Sequence, residues 1–230
     1  MAQRASVLVP EAGDSPGARM GTGLYSLAEL SRYLHGRSLP ASPPKVLRWI
    51  RAGLAVSGHQ GGVPTYTFHD LISLLVVGWL RSNGVQLAAI RKAEAYLREE
   101  RRIARPFATQ EIFTDGINVL YRANPSIADQ LTAANRRGQE VLLRTLGDTL
   151  RGVAYDGGLA VWWDIREHVR LDPAVQFGAP CVAGTRIPTA QLFALRDAGD
   201  TPEEIAALFA QPRQLVDEAI EFEAELARAA

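Results

Sequence analysis

Apolar and polar positions alternate along this chain with a period that changes from segment to segment. Leu27, Leu30 and Leu34 form a helical stripe, and Ser26 with Glu29 three residues later makes a capping-box pattern ahead of it. That helix should end near Gly36. Ser42-Pro43-Pro44 opens a second helix, with serine as N-cap and proline at the first helical position, running through Val46, Leu47, Trp49 and Ile50 to a stop at Gly53. Residues 54–56 and 63–68 predict a short hairpin around a glycine-rich tip at 58–62. Long helices are then expected over 70–82, stopping at Asn83-Gly84, and over 85–102, ended by Pro106.

The texture changes after Pro106. Residues 107–114 and 117–121 are rich in β-forming side chains around Asp115-Gly116, which predicts a hairpin with a two-residue turn. Helices are expected over 126–134 and 139–150. A second hairpin, 152–155 with 159–164, turns at Asp156-Gly157-Gly158. Residues 169–230 give a short strand, a Gly/Pro-rich turn region and three helices over about 189–198, 202–209 and 213–228, the second opened by a Thr201/Glu204 capping box. The predicted fold is α+β, mainly α. It has a flexible arm at 1–23, a winged helix-turn-helix with its following helix at 24–105, a hairpin-rich middle at 106–168 and a three-helix, helix-turn-helix-like domain at 169–230.

Composition is that of an ordinary globular protein, with 47% hydrophobic and 22% charged residues. The longest apolar run, 71–80, contains Ser73 and Gly78 and is too short to span a bilayer; no secretory signal pattern opens the chain. The lone Cys181 fits a reducing cytoplasm and reads as a buried thiol. Net charge is zero, but residues 1–105 hold 14 basic and 7 acidic side chains, while 106–230 hold 11 and 18. A +7 half can track phosphates; a −7 half suits a protein partner better.

A recognition helix needs an apolar stripe inward and basic residues outward. In the second helix Val46, Trp49 and Ile50 take the first role, and Lys45, Arg48 and Arg51, at three-residue spacing, the second. Arginine forks onto guanine edges or grips phosphate, and the sequence leaves both open. The candidate DNA contacts are Ser42, Lys45, Arg48 and Arg51, with His59, Gln60 and Tyr66 from the wing.

The segments YSLAELSRYL (from Tyr25), SPPKVLRWIRAGL and YTFHDLISLL resemble the MerR and excisionase class of winged helix proteins over about 25–102. In that class an aromatic after the basic residue packs the recognition helix and a tyrosine strand closes the wing, positions matched by Trp49 and Tyr66. From Val169, VRLDPAVQFGAPCVAGTRIPTAQLFALRDAGDTPEEIAALF resembles the domain-of-unknown-function 433 family over about 169–226. The match lies in Asp172-Pro173, Gly178, Pro180, Gly184 to Pro188, Gly199 and Pro202-Glu203-Glu204; Cys181 and Ala183 depart from it. Here Gly184 permits a positive φ and Pro188 starts a helix.

From Pro173 onward four arginines face nine carboxylates, and the acidic last helix (Asp217, Glu218, Glu221, Glu223, Glu225) would repel phosphate. It reads equally as a solvated face or a partner surface.

Together the two resemblances imply a VapB-type antitoxin of a VapBC-like toxin–antitoxin operon, which represses its own operon as a dimer and masks a PIN-like ribonuclease toxin. The resemblance also implies an arginine presented to the toxin, for which Arg136 and Arg137 are candidates. The expected partners are operator DNA, the cognate toxin and a second copy, joined through helix 85–102 or the C-terminal helices. No cofactor, metal or membrane partner is expected, and no enzymatic activity: the four histidines lack zinc-ligand spacing and no phosphate-binding loop occurs. The alternatives are a protein-interaction module without specific DNA binding, or a MerR-like regulator responding to a small molecule held near Trp162, Trp163 and Phe177.

Overall fold

The computed structural model describes residues 23–56, 58–60, 62–135 and 139–228. The arm read at 1–23, apart from Gly23, and the toxin-contact candidates Arg136 and Arg137 lie outside the described residues.

The chain begins with α1 (Leu27–His35), α2 (Pro43–Trp49) and a wider π-type turn (Ile50–Leu54) that prolongs α2. The hairpin β1 (Gly58–Gln60) and β2 (Val63–Thr65) follows, then α3 (Phe68–Ser82) and α4 (Leu87–Arg101). The predicted capping box forms at Ser26/Glu29, and a second, unread from sequence, starts α3 at Thr67/Asp70. Ser42 sits at the N-cap of α2 with extended backbone but makes no side-chain cap; Pro43 supplies the start. Residues 54–56 are not the strand expected, because the helix continues to Leu54 before the backbone extends at Ala55.

Helix α3 explains the apolar run at 71–80. Every residue from Phe68 to Leu80 is buried, so α3 is a central core helix, touched by α1, α2, α4 and α7. No helix among the described residues is long and apolar enough to cross a membrane.

The first hairpin expected in the middle region is instead helical. After a short turn at Pro106–Ala108, α5 covers Gln110–Ala123, and α6 (Pro125–Asn135) and α7 (Gln139–Thr149) follow. Ile112, Gly116, Ile117, Val119 and Leu120 all face the core. Tertiary burial of that stripe outweighs the β preference of single residues. The Asp115-Gly116 signal survives as a kink, with Asp115 at φ −139°, ψ 26°. Gly116 lies where any Cβ would press into Leu146 of α7.

The second expected hairpin forms as read. β3 (Val153–Asp156) and β4 (Leu159–Arg166) pair antiparallel across Gly157-Gly158, both at positive φ. β5 (Val169–Leu171) and β6 (Pro180–Val182) extend it to a four-stranded antiparallel meander in order β3-β4-β5-β6. The sheet therefore runs across the 168/169 boundary drawn from sequence. Three helices close the chain, α8 (Thr189–Ala198), α9 (Pro202–Leu208) and α10 (Arg213–Arg228), with the Thr201/Glu204 capping box formed. The architecture is mainly helical with a two-stranded hairpin and a small four-stranded sheet, the α+β class expected.

One hydrophobic core joins α1–α7, the sheet, and Phe222 and Leu226 of α10. A smaller one, around Val182, Leu192, Ile205, Val216 and Ala219, holds the last three helices together. The N-terminal head is also pinned to the C-terminal part. Tyr25 Oη donates to Gly178 O at 3.0 Å, and Leu24 N to Phe177 O at 3.0 Å. Gly178 has φ +87°, and a Cβ there would collide with the Tyr25 hydroxyl, so glycine meets both a backbone and a packing requirement.

Candidate nucleic-acid interface

Helix α2 divides cleanly into two faces. Val46 and Trp49 are 0% and 1% exposed and sit in the core with Leu54, whereas Ser42, Lys45, Arg48 and Arg51 are all exposed. The three-residue spacing of the cations places them along one outward strip. Trp49 is a packing residue, as expected.

Several polar contacts hold this strip at a fixed angle. Ser31 Oγ of α1 donates to Ala41 O, just before α2. Gly53, at φ +86° inside the last turn, breaks the helical geometry, and its carbonyl accepts from Arg98 Nη2 of α4 at 3.4 Å. Arg98 is itself held by Glu94, which is 5% exposed and accepts from Arg98 Nε at 3.2 Å. Beyond the turn, Asp70 is fully buried and accepts from Thr67 N at 2.9 Å and Val56 N at 3.3 Å. It also pairs with Arg105. A buried carboxylate with a cation and backbone donors is a satisfied one, and it ties both ends of the wing to α3 and to the segment after α4.

His59 and Gln60 lie on β1, opposite Pro64 and Val63 on β2, in the hairpin that follows α2. Val63 is 58% exposed at its outer side. Tyr66 corrects the sequence reading. It is 3% exposed, its backbone pairs with Tyr25, and burial pushes its phenol up. It closes the wing from inside the core and does not present a side chain to a nucleic acid.

The structure adds two cations that sequence reasoning passed over. Arg91 and Lys92 of α4 are exposed and line a 430 Å³ groove floored by Ala52, Gly53, Leu54 and Ala88 beside the end of α2. The sequence signal was the Arg91-Lys92 pair itself, but its side of α4 shows only once α4 is seen packed against the turn at Ile50–Leu54.

The acidic end is altered too. Four of the five carboxylates singled out on α10 are engaged within the chain. Asp217 accepts from Arg213, Glu218 from His168 N, Glu223 from Thr189 Oγ1, and Glu225 pairs with Arg166. Much of that charge fastens α10 to its neighbours. Trp163 is wholly buried while Phe177 is 72% exposed, so these aromatics do not share one environment. Cys181 is buried, and burial pushes its thiol up to about 11.

No curated protein matches this chain. Among solved structures, the X-ray crystal structure of Rv2018 from Mycobacterium tuberculosis aligns with a TM-score of 0.67 at 22% identity, covering 85% of this chain and 96% of that one. This is a likeness of fold over most of the chain. Residues 169–222, spanning β5 to most of α10, match the family described as Protein of unknown function (DUF433), the resemblance read from the sequence.

Proposed function

We propose that this protein is a non-catalytic DNA-binding regulator that uses the outward strip of α2 and its wing as the reading head. The observation that carries the proposal is the division of α2, with Trp49 and Val46 locked in the core and Lys45, Arg48 and Arg51 exposed in line. Three cations at that spacing suit a groove flanked by phosphates, and Arg91 and Lys92 extend the basic surface. Reading two half-sites requires a homodimer.

The finer proposal is an antitoxin of a VapBC-like operon, acting in the cytoplasm, with a PIN-like ribonuclease as protein partner. It rests on the joint MerR/excisionase and DUF433 resemblances, of which the second is matched over 169–222. Two exposed apolar side chains on the C-terminal part, Phe177 at 72% and Leu208 at 69%, favour a protein partner at that end.

The experiment is a gel shift with DNA from the protein's own promoter region, at fixed salt. Arg48→Ala and Arg51→Ala should each weaken binding about tenfold or more, the order expected when a base-reading or phosphate-gripping arginine worth ~1–3 kcal/mol is lost. Unchanged affinity in both would refute the assignment of α2. Co-purification with the product of the adjacent gene, retained in both variants, tests the antitoxin reading separately.

A further inference from the structure

A cavity of about 280 Å³ opens where the end of α1, the strand β4 and the end of α10 meet. Its polar wall consists of Arg32, His35, Arg166, Arg228 and the single carboxylate Glu225; Phe222 and Leu226 form an apolar floor. Arg166 is engaged by Glu225, and Arg228 Nε donates to Ala224 O at 3.1 Å. Arg32 is different: its Nε is buried and has no hydrogen-bond partner, as is Nε of the neighbouring Arg37. A buried guanidinium donor without an acceptor calls for one from outside the chain.

Cations outnumber carboxylates among the side chains that line the cavity. Arg32, Arg166 and Arg228 bring three positive charges, Glu225 one negative, and the C-terminal ends of α1 and α10 roughly half a negative charge each. Half-buried Glu223 lies within electrostatic reach of Arg32 and offsets part of its charge. The opposing charges nearly balance, with three guanidinium groups to one carboxylate on the lining itself. Beside the cavity, burial, then Arg151 and Arg166, push the Arg37 guanidinium down. It stacks 5.0 Å over Trp163 and donates to Arg151 O at 2.5 Å, so its fork is held in place.

We infer that this cavity is a binding site for a small oxyanion, a phosphate- or carboxylate-bearing molecule gripped by Arg32 and Arg166 at the seam between the N-terminal head and the C-terminal helix. Guanidinium forks match both oxyanion types in bidentate geometry, and the apolar floor accommodates a short carbon skeleton. Such a ligand would bridge α1, which buttresses the recognition helix, to α10.

The test is the thermal midpoint of the full chain titrated with sodium pyrophosphate and, separately, with sodium succinate, sodium chloride keeping ionic strength constant. A saturable rise with at least one of them is expected, and the tighter of the two names the source of the oxyanion. Arg32→Gln and Arg166→Gln should each raise the half-saturating concentration tenfold or more, whereas Arg196→Gln, at the exposed end of α8, should leave it unchanged. Arg166 is 41% exposed at its side chain, so its variant serves if Arg32→Gln does not fold. No saturable rise with either anion would overturn the inference. So would an equal rise in both glutamine variants, which would make the bound species an adventitious ion only.

Discussion

Trp49 and its neighbours show how one helical turn is assigned two jobs. Its indole is 1% exposed among Leu54, Val46 and α3, while Arg48 and Arg51 on either side of it in sequence point to solvent. Trp49→Ala should cost about 3–5 kcal/mol in chemical denaturation, the scale of removing a buried large aromatic. A loss below about 1 kcal/mol would mean that α2 is not seated as described. Glu223 offers a pH-dependent counterpart. Burial, against the hydrogen bond from Thr189, raises its carboxyl above the usual range. The folded chain thus holds that proton more tightly than the unfolded one, and the contribution to stability present at low pH is lost as pH rises from the ordinary glutamate value through the raised one. Glu223→Gln should remove that slope, so its urea midpoint relative to the parent rises as pH climbs above the ordinary glutamate range. The two faces of α2 were legible in the sequence because a helical period sorts them. Tyr66 was not, since a tyrosine next to a wing reads the same whether its ring turns in or out.

Asp70 sets the relation between elements. As N3 of α3 it completes the capping box with Thr67, receives Val56 N from the wing and pairs with Arg105 beyond α4. Asp70→Ala would strand Arg105 and a backbone donor together and should destabilise by about 3–5 kcal/mol. Arg105→Ala measured alongside, with the double variant, would show the two losses to be strongly non-additive, and simple additivity would contradict the shared role. Capping boxes at Ser26 and Thr201, the Gly157-Gly158 hairpin and the three last helices were all readable, because each is a local pattern. Helix α5 was not. Its β-branched and aromatic residues and its Asp115-Gly116 pair imitate a hairpin, and only the packing of Gly116 on Leu146 reveals that the apolar positions follow a helical stripe. The strand β6 was hidden for a similar reason, being three residues inside a Gly/Pro-rich turn region whose pairing partner, β5, lies beyond a turn.

At the scale of the molecule, the +7 and −7 halves remain the main electrostatic feature, but their parts have separated functions. The basic half concentrates exposed cations on α2 and α4, while the acidic half spends much of α10 on internal contacts to β4, His168 and α8. The central core and the Tyr25–Gly178 link join the N-terminal and C-terminal parts, so packing is shared across the boundaries read at 105/106 and 168/169. The central claim is that Lys45, Arg48 and Arg51 meet the nucleic acid. Its most direct measurement is the salt dependence of binding to a labelled promoter duplex by fluorescence anisotropy, comparing the parent with the Lys45→Ala/Arg48→Ala/Arg51→Ala variant. Log affinity should fall linearly with log salt in the parent, and the slope should shrink by roughly one unit for each phosphate-gripping cation removed, with a loss of affinity beyond that for any base contact. A variant with the parent's slope and affinity, and an intact fold by circular dichroism, would contradict the account.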